Sequence, residues 1–272
     1  MSDCGSDSMT LKEYVRKGRC SIETAQKIGK EVGDFVGRLH LWGKDNPDVC
    51  EFFNANQQAK VLSSWVFYGR LLSTLDDDDL EILQDPKVAL SEEEKRALER
   101  IAEESGQAMR KITGTVRILG GFFLALVQRL LQLVMGDLWP GNLVLKFDEG
   151  DHVEQVFILD WELCRPGILG MELGQFCAEL VLLMRFNPEE CGETARCMMD
   201  AFLQGYSGQM TPDMKMWRRM IVHLGTHMVT LTPIMGWGDK AKMQQVVKEG
   251  VKLVLEGYAA EEEWLGKCVL NK

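Results

Sequence analysis

With 272 residues, 46% hydrophobic and 26% charged, the chain can fill one large core or two small ones and has the polarity of an ordinary globular protein. A formal net charge of -10 argues against nucleic acid or an anionic membrane as the main partner, because both favour clustered Lys and Arg. Eight cysteines without a Cys-x2-Cys pair, and no signal peptide, point to reduced thiols in a cytoplasmic protein.

After a polar connector at 3–8, Met9-Thr-Leu-Lys-Glu-Tyr-Val15 reads as a first short helix. Ser21 is placed to cap a longer helix with an apolar stripe of Ile22, Ala25, Ile28, Val32, Phe35, Val36 and Leu39. Residues 46–84 read as loop plus short helices, and Asp76 to Asp79 as a solvated turn. Ser91-Glu-Glu-Glu94 is a capping-box pattern that opens a helix running towards Ile112.

The segment 114–133 is far more apolar than its surroundings. Its uncharged run from Ile118 to Gln128 is too short for the ~20 residues a bilayer span requires. A buried helix is the leading reading; a membrane-surface or partner helix, or sequence foreign to the fold such as a retained intron, are the others.

Two apolar runs follow, Leu143 to Phe147 and Val153 to Leu159, around an Asp/Gly-rich turn, which is a β-hairpin pattern. The turn centres near Asp151, so Asn142 and Asp160 should meet at the open end of the hairpin, with Asp137 on the loop just before it. An amide oxygen beside a carboxylate suits a hard cation such as Mg²⁺. A second carboxylate one loop away can orient or deprotonate an attacking hydroxyl. Asp-x4-Asn followed by a post-strand Asp is also the division of labour in kinase phosphoryl transfer.

Downstream, a helix after Glu172 should bury Leu173, Phe176, Leu180 and Leu183, and further helices should span 193–206, 214–231 and 240–258. His223 and His227 are four apart on one of them, but the metalloprotease Glu between them is missing, and both read as core residues. Trp237 reads as a packed loop anchor that can also line a pocket by stacking.

The block Met135-Gly-Asp137, Asn142, Leu159-Asp-Trp-Glu162, Pro166-Gly167 and Glu172-Leu-Gly-Gln-Phe176 resembles the C-terminal lobe of the aminoglycoside phosphotransferase and choline kinase superfamily, especially its fungal small-molecule-kinase-like members. Weaker similarities extend it: Phe35 to His40 resembles a family helix ending in Leu-His, and Ala201 to Tyr206 a late helix ending in Gly-Tyr. The resemblance implies an α+β, mainly α fold, a protein-kinase-like C-terminal lobe in which a central β-hairpin carries the catalytic loop. It implies Asp137 as catalytic base, Asn142 and Asp160 as Mg²⁺ ligands, and supporting places for Glu162 and Glu172. ATP and Mg²⁺ would be the cofactors, and a small-molecule hydroxyl the acceptor.

Two residues depart from the family pattern. Met135 stands where a His usually supports the catalytic loop, and Glu172 where an Asp usually precedes the next helix. The chain also has no glycine-rich phosphate loop and no strand Lys; Gly120-Gly121 leads into Phe122-Phe123 instead. The expected organisation is therefore one C-lobe domain over 1–272 with a hinge remnant at 1–8, an atypical apolar insertion at 114–133, and the N-terminal lobe absent. Two functional readings stand: an ATP-dependent phosphotransferase, and a non-catalytic, pseudokinase-like remnant that binds a ligand or partner.

Overall fold

Helices dominate the computed structural model, which describes residues 8–111 and 132–261. The expected connector at 1–8, apart from Ser8, and the apolar insertion, apart from Gln132 and Leu133, lie outside the described residues.

The first element differs from the sequence reading. Met9–Thr10 (β1) is a strand, paired with Leu145 and Val144, and the helix begins only at Leu11–Arg16 (α1). Thr10 explains the delay, because its side chain accepts the Glu13 N–H at 3.2 Å and so caps the helix one residue in. Ser21 caps α2 (Ile22–Asp45) as its position implies, accepting the Thr24 N–H at 3.1 Å. The helix runs past Leu39 to Asp45. Ala25, Ile28, Val32 and Val36 are buried as expected, but Ile22 is 40% exposed, since the first turn projects beyond the core it was expected to join.

Residues 46–84 form α3 (Pro47–Asn54), α4 (Gln57–Ser64), a wide helical turn at Trp65–Gly69, α5 (Leu71–Asp76) and a short turn at Glu81–Leu83. Asp78 pairs with Lys87 at 2.7 Å and Asp76 with Lys95 at 3.6 Å, so this acidic run is a surface turn. The capping box at Ser91 forms in full, with Glu94 accepting the Ser91 N–H at 2.8 Å and Ser91 accepting the Glu94 N–H at 3.2 Å. It opens α6 (Glu92–Lys111).

The hairpin is β3 (Leu143–Phe147) and β4 (Val153–Ile158), and β1 extends it to a three-stranded antiparallel sheet in the order β1-β3-β4. A second small sheet pairs β2 (Gln132–Val134) with β5 (Arg165–Gly167). Strands of three residues show no alternation long enough to read, and Pro166-Gly167 gave a loop signal instead.

The helix expected after Glu172 begins earlier, as α7 (Leu169–Phe186), and places Glu172 in its first turn. It is buried continuously from Gly170 to Leu183. Such a helix needs neighbours on every side, and it packs against α8 (Glu193–Gln209) and α9 (Met214–Thr230). α10 (Lys240–Ala259) completes the fold against α9. Leu173, Phe176, Leu180 and Leu183 sit in a core shared with α1, α2, α8 and the hairpin. A second apolar cluster joins α5 and α6 to α9 and α10 through Leu75, Leu98, Ile101, Val229 and Val254. No described helix is long and apolar enough to cross a membrane.

Candidate active site

The hairpin register decides where the polar ends go. Leu143 pairs with Ile158, and Asn142 accepts the Leu159 N–H at 2.9 Å, which brings Asp160 to the open end beside Asn142. Asp160 has φ 67°, a left-handed conformation that costs a non-glycine residue roughly 1–2 kcal/mol. Next to it the Trp161 indole N–H donates to the Ile158 carbonyl at 2.8 Å, pinning the turn that follows the strand. The Asp160 side chain is exposed, and among the described residues no hydrogen bond holds it.

Asp137 is half-buried on the preceding loop. One carboxylate oxygen accepts from the Asn142 amide at 2.9 Å and the other from the Gln175 amide at 2.6 Å. Burial above all raises its proton affinity; the two amides pull the other way, and the nearby charge of Asp160 raises it further. A carboxylate held by two donors, with a pKa above the ordinary Asp range, is suitably placed to receive a proton.

The Asn142 amide nitrogen also donates to the Asp137 carbonyl at 3.0 Å, so this face of the amide is occupied and Oδ1 is directed away from Asp137. Asn142 Oδ1 and the Asp160 carboxylate are two hard oxygen donors at one end of the hairpin. Among the described residues no three His, Cys, Asp or Glu side chains converge on a metal position. Two protein oxygens fit Mg²⁺, which retains waters and takes phosphate oxygens, better than a metal needing a closed protein cage. Glu162 is exposed at the rim, and its carbonyl accepts the Asn56 side-chain amide at 2.7 Å.

Beneath the loop, Gly136 has φ 89°, and its N–H donates to Glu172 Oε1 at 2.9 Å. The other Glu172 oxygen lies 2.7 Å from His40 Nε2, and His40 Nδ1 lies 3.0 Å from the Tyr206 hydroxyl. All three side chains are buried. The two weaker sequence similarities, ending at His40 and Tyr206, thus meet each other, and His40 links them to the Glu172 carboxylate. Met135 packs into the core, and the loop is held from below by Glu172.

Gln175 and Glu179 continue the face of α7 that begins at Glu172, with spacings of three and four residues. Glu179 is buried, with His227 Nε2 at 3.0 Å on one oxygen and Lys12 Nζ at 2.8 Å on the other. The Lys12 ammonium lies 4.0 Å from the Trp237 ring centre and 5.1 Å from that of Trp139, two residues beyond Asp137. His223 turns instead to the Tyr68 hydroxyl at 3.0 Å, so the two histidines serve separate partners. Sequence reasoning assigned no role to Gln175, Glu179, Lys12 or Trp139. The available signal was three polar residues, Glu172, Gln175 and Glu179, on one face of an otherwise apolar helix. A separate groove of about 800 Å³ lies between α2 and β4, lined in part by Lys27, Glu31, Phe35, Phe157 and Trp161.

The chain is 27% identical to a 4-hydroxytryptamine kinase of Psilocybe cubensis over 253 residues, 92% of the chain and 61% of that protein. It is 26% identical to the enzyme of the same name from Psilocybe cyanescens, over 93% of the chain and 61% of that protein. With the phosphotransferase FrzJ of a Cladobotryum species it shares 24% identity, over 97% of the chain and 63% of that protein. These similarities are to proteins named as kinases and phosphotransferases, and they run along most of the chain. The chain spans a little over three-fifths of the length of these relatives. No protein-family profile matches the chain. A solved glucosamine kinase aligns with 96% of the chain and 61% of its own length, at a TM-score of 0.44 and 11% identity.

Proposed function

We propose that the chain forms the C-terminal, acceptor-side lobe of an ATP-dependent small-molecule phosphotransferase of the aminoglycoside phosphotransferase and choline kinase type. The observation that carries this reading is the convergence of Asp137, Asn142 and Asp160 at the open end of one hairpin, with Asp137 clamped by Asn142 and Gln175. Relatives are named for a hydroxytryptamine, and a hydroxyl on a small molecule is the acceptor class.

In this reading the acceptor hydroxyl sits against Asp137, which takes its proton as the oxygen attacks the γ-phosphorus of ATP and ADP leaves. Asn142 Oδ1 and Asp160 would hold Mg²⁺, and Mg²⁺ supplies neutralisation of the phosphate charge. Gln175 keeps Asp137 oriented, and Glu172 fixes the backbone from which Asp137 projects. Glu162, at the rim, orients water or the loop.

The alternative reading is a non-catalytic protein that binds a ligand or partner through the same lobe. Calorimetry with Mg·ATP separates the two, with Asp160→Ala as control. Binding that needs both Mg²⁺ and Asp160, followed by acceptor-dependent ADP release, supports the transferase. Absence of binding by a folded, cooperatively melting sample overturns it.

A further inference from the structure

Lys215, Arg218 and Arg219 lie within the first two turns of α9, and all three line a pocket of about 230 Å³ between that helix, α6 and Tyr258 of α10. The chain carries 41 Asp and Glu against 31 Lys and Arg, so a cation readily finds a carboxylate. Arg19, Lys87, Arg185 and Arg196 each do so. Lys215, Arg218 and Arg219 make no ion pair among the described residues. The one carboxylate in the pocket, Glu104, is engaged by the Tyr258 hydroxyl.

The three cations are held differently. Arg218 donates to the Ala260 carbonyl at 2.7 Å, which fixes its side chain without neutralising it. Arg219 is half-buried, and burial draws its pKa below the usual guanidinium range, only partly offset by Asp213 and Tyr68. A desolvated cation is unfavourable unless an anion meets it. Lys215 is exposed at the mouth. Three cations against one carboxylate leave the lining with an excess of two positive charges. A phosphate monoester carries about −1.5 to −2 near pH 7 and so matches that excess. Guanidinium groups present paired donors to phosphate oxygens, and an ammonium adds a compact point charge. Tyr68 and Ser105 supply hydroxyls, and Ile168, Met171 and Val222 an apolar wall. The volume lies below the roughly 300 Å³ at which drug-sized sites begin, which suits a small anion.

The floor of the pocket leads towards the candidate active site. The Tyr68 hydroxyl lies 3.0 Å from His223 Nδ1, and His223 lines a small cavity with Gly136, Glu172 and Gln175 beneath the Asp137 loop. Burial lowers the His223 pKa to about 3, so its ring is neutral at physiological pH.

We propose that Lys215, Arg218 and Arg219, with the Tyr68 and Ser105 hydroxyls, form a binding site for the phosphate dianion, free or as a small monoester, separate from the site at Asp137. Arg219 meets the anion at the base of the pocket and Lys215 at its mouth. Binding here needs neither ATP nor Mg²⁺, so the site goes beyond the phosphotransferase reading and is tested apart from it.

Inorganic phosphate, phenyl phosphate and singly charged benzenesulfonate are titrated into the full chain at constant ionic strength, without nucleotide or Mg²⁺. Calorimetry gives the affinities, and the Tyr68 and His223 ring signals report the place. Both phosphates should bind and shift those signals, with benzenesulfonate severalfold weaker because it brings one charge to an excess of two. Tighter phenyl phosphate would mark a monoester as the ligand and equal binding the free dianion; either supports the site. Arg219→Met should weaken both phosphates by roughly tenfold to a hundredfold, the loss expected for a charge-assisted hydrogen bond. Lys215→Gln, at an exposed position, should weaken them in the same direction and decides the matter if Arg219→Met fails to melt cooperatively. Lys252→Gln removes one positive charge from α10 outside the pocket and should leave binding unchanged. The proposal is overturned if the folded chain binds neither phosphate, if benzenesulfonate binds equally well, or if the Tyr68 and His223 signals stay still. Full binding by folded Arg219→Met and Lys215→Gln, or an equal loss in Lys252→Gln, overturns it as well.

Discussion

Glu172 Oε2 lies 2.7 Å from His40 Nε2, although 132 residues separate them in the chain. The same carboxylate accepts the Gly136 N–H at 2.9 Å through its other oxygen, so α2 and the loop that carries Asp137 are joined through one side chain. Tyr206 completes the set from α8. His40→Ala would leave a buried carboxylate and a buried phenol without this partner. That change should destabilise the fold by about 3–5 kcal/mol, as breaking a buried pair generally does. Denaturant unfolding checks this, and a loss under about 1 kcal/mol would mean the network is replaced by water.

Asp137 should leave a pH signature that needs no substrate. Burial first, then the charge of Asp160, raises its pKa in the fold, and the amides of Gln175 and Asn142 only partly offset this. A raised folded pKa means that the contribution to stability is full below the unfolded value of about 3.9 and is lost as pH rises through the folded value. Asp137→Asn stays neutral throughout, so it should gain stability relative to the original chain as pH rises from about 4 to 7. Both neighbouring amides can rotate to accommodate the new one. Melting temperatures measured across that range give the sign directly; a difference that shrinks with rising pH would contradict it.

Gly136 is the loop position least open to change. At φ 89°, an added Cβ would overlap both the Leu163 carbonyl and the Arg165 guanidinium. Gly136→Ala should cost at least about 1 kcal/mol from the left-handed backbone alone, with the overlap in addition. It should also weaken Asp160-dependent Mg·ATP binding, because Asp137 and Asn142 hang from the displaced loop. A variant with unchanged melting and unchanged binding would show that the loop relaxes freely.

Ser91→Ala tests a local rule far from the site. It removes the hydroxyl that accepts the Glu94 N–H at 3.2 Å at the start of α6. A loss of about 1 kcal/mol is expected in equilibrium unfolding, with Mg·ATP binding unaffected.

Local chemistry made much of this protein legible in its residues alone. The hairpin followed from two apolar runs around an Asp/Gly turn, and its symmetry about Asp151 was enough to bring Asn142 and Asp160 together. Ser21 and Ser91 marked helix starts because capping is a contact between residues three apart. Helices 193–206, 214–231 and 240–258 were readable to within a few residues because their apolar spacing repeats over several turns. The strand at Met9–Thr10 and the pairing of Gln132–Val134 with Arg165–Gly167 were not, because strands this short exist only through their partners. The continuous burial of α7 removed the amphipathic stripe that would have marked its true start at Leu169. Above all, the joining of His40, Glu172 and Tyr206, and of Lys12 to Glu179 between two indoles, required the tertiary fold. Each of these contacts links residues more than 100 positions apart, and a sequence pattern carries no distance across such a separation. The motif singled out Asp137, Asn142 and Asp160 as candidates for the chemistry; only packing around α7 decided which other residues hold them in place.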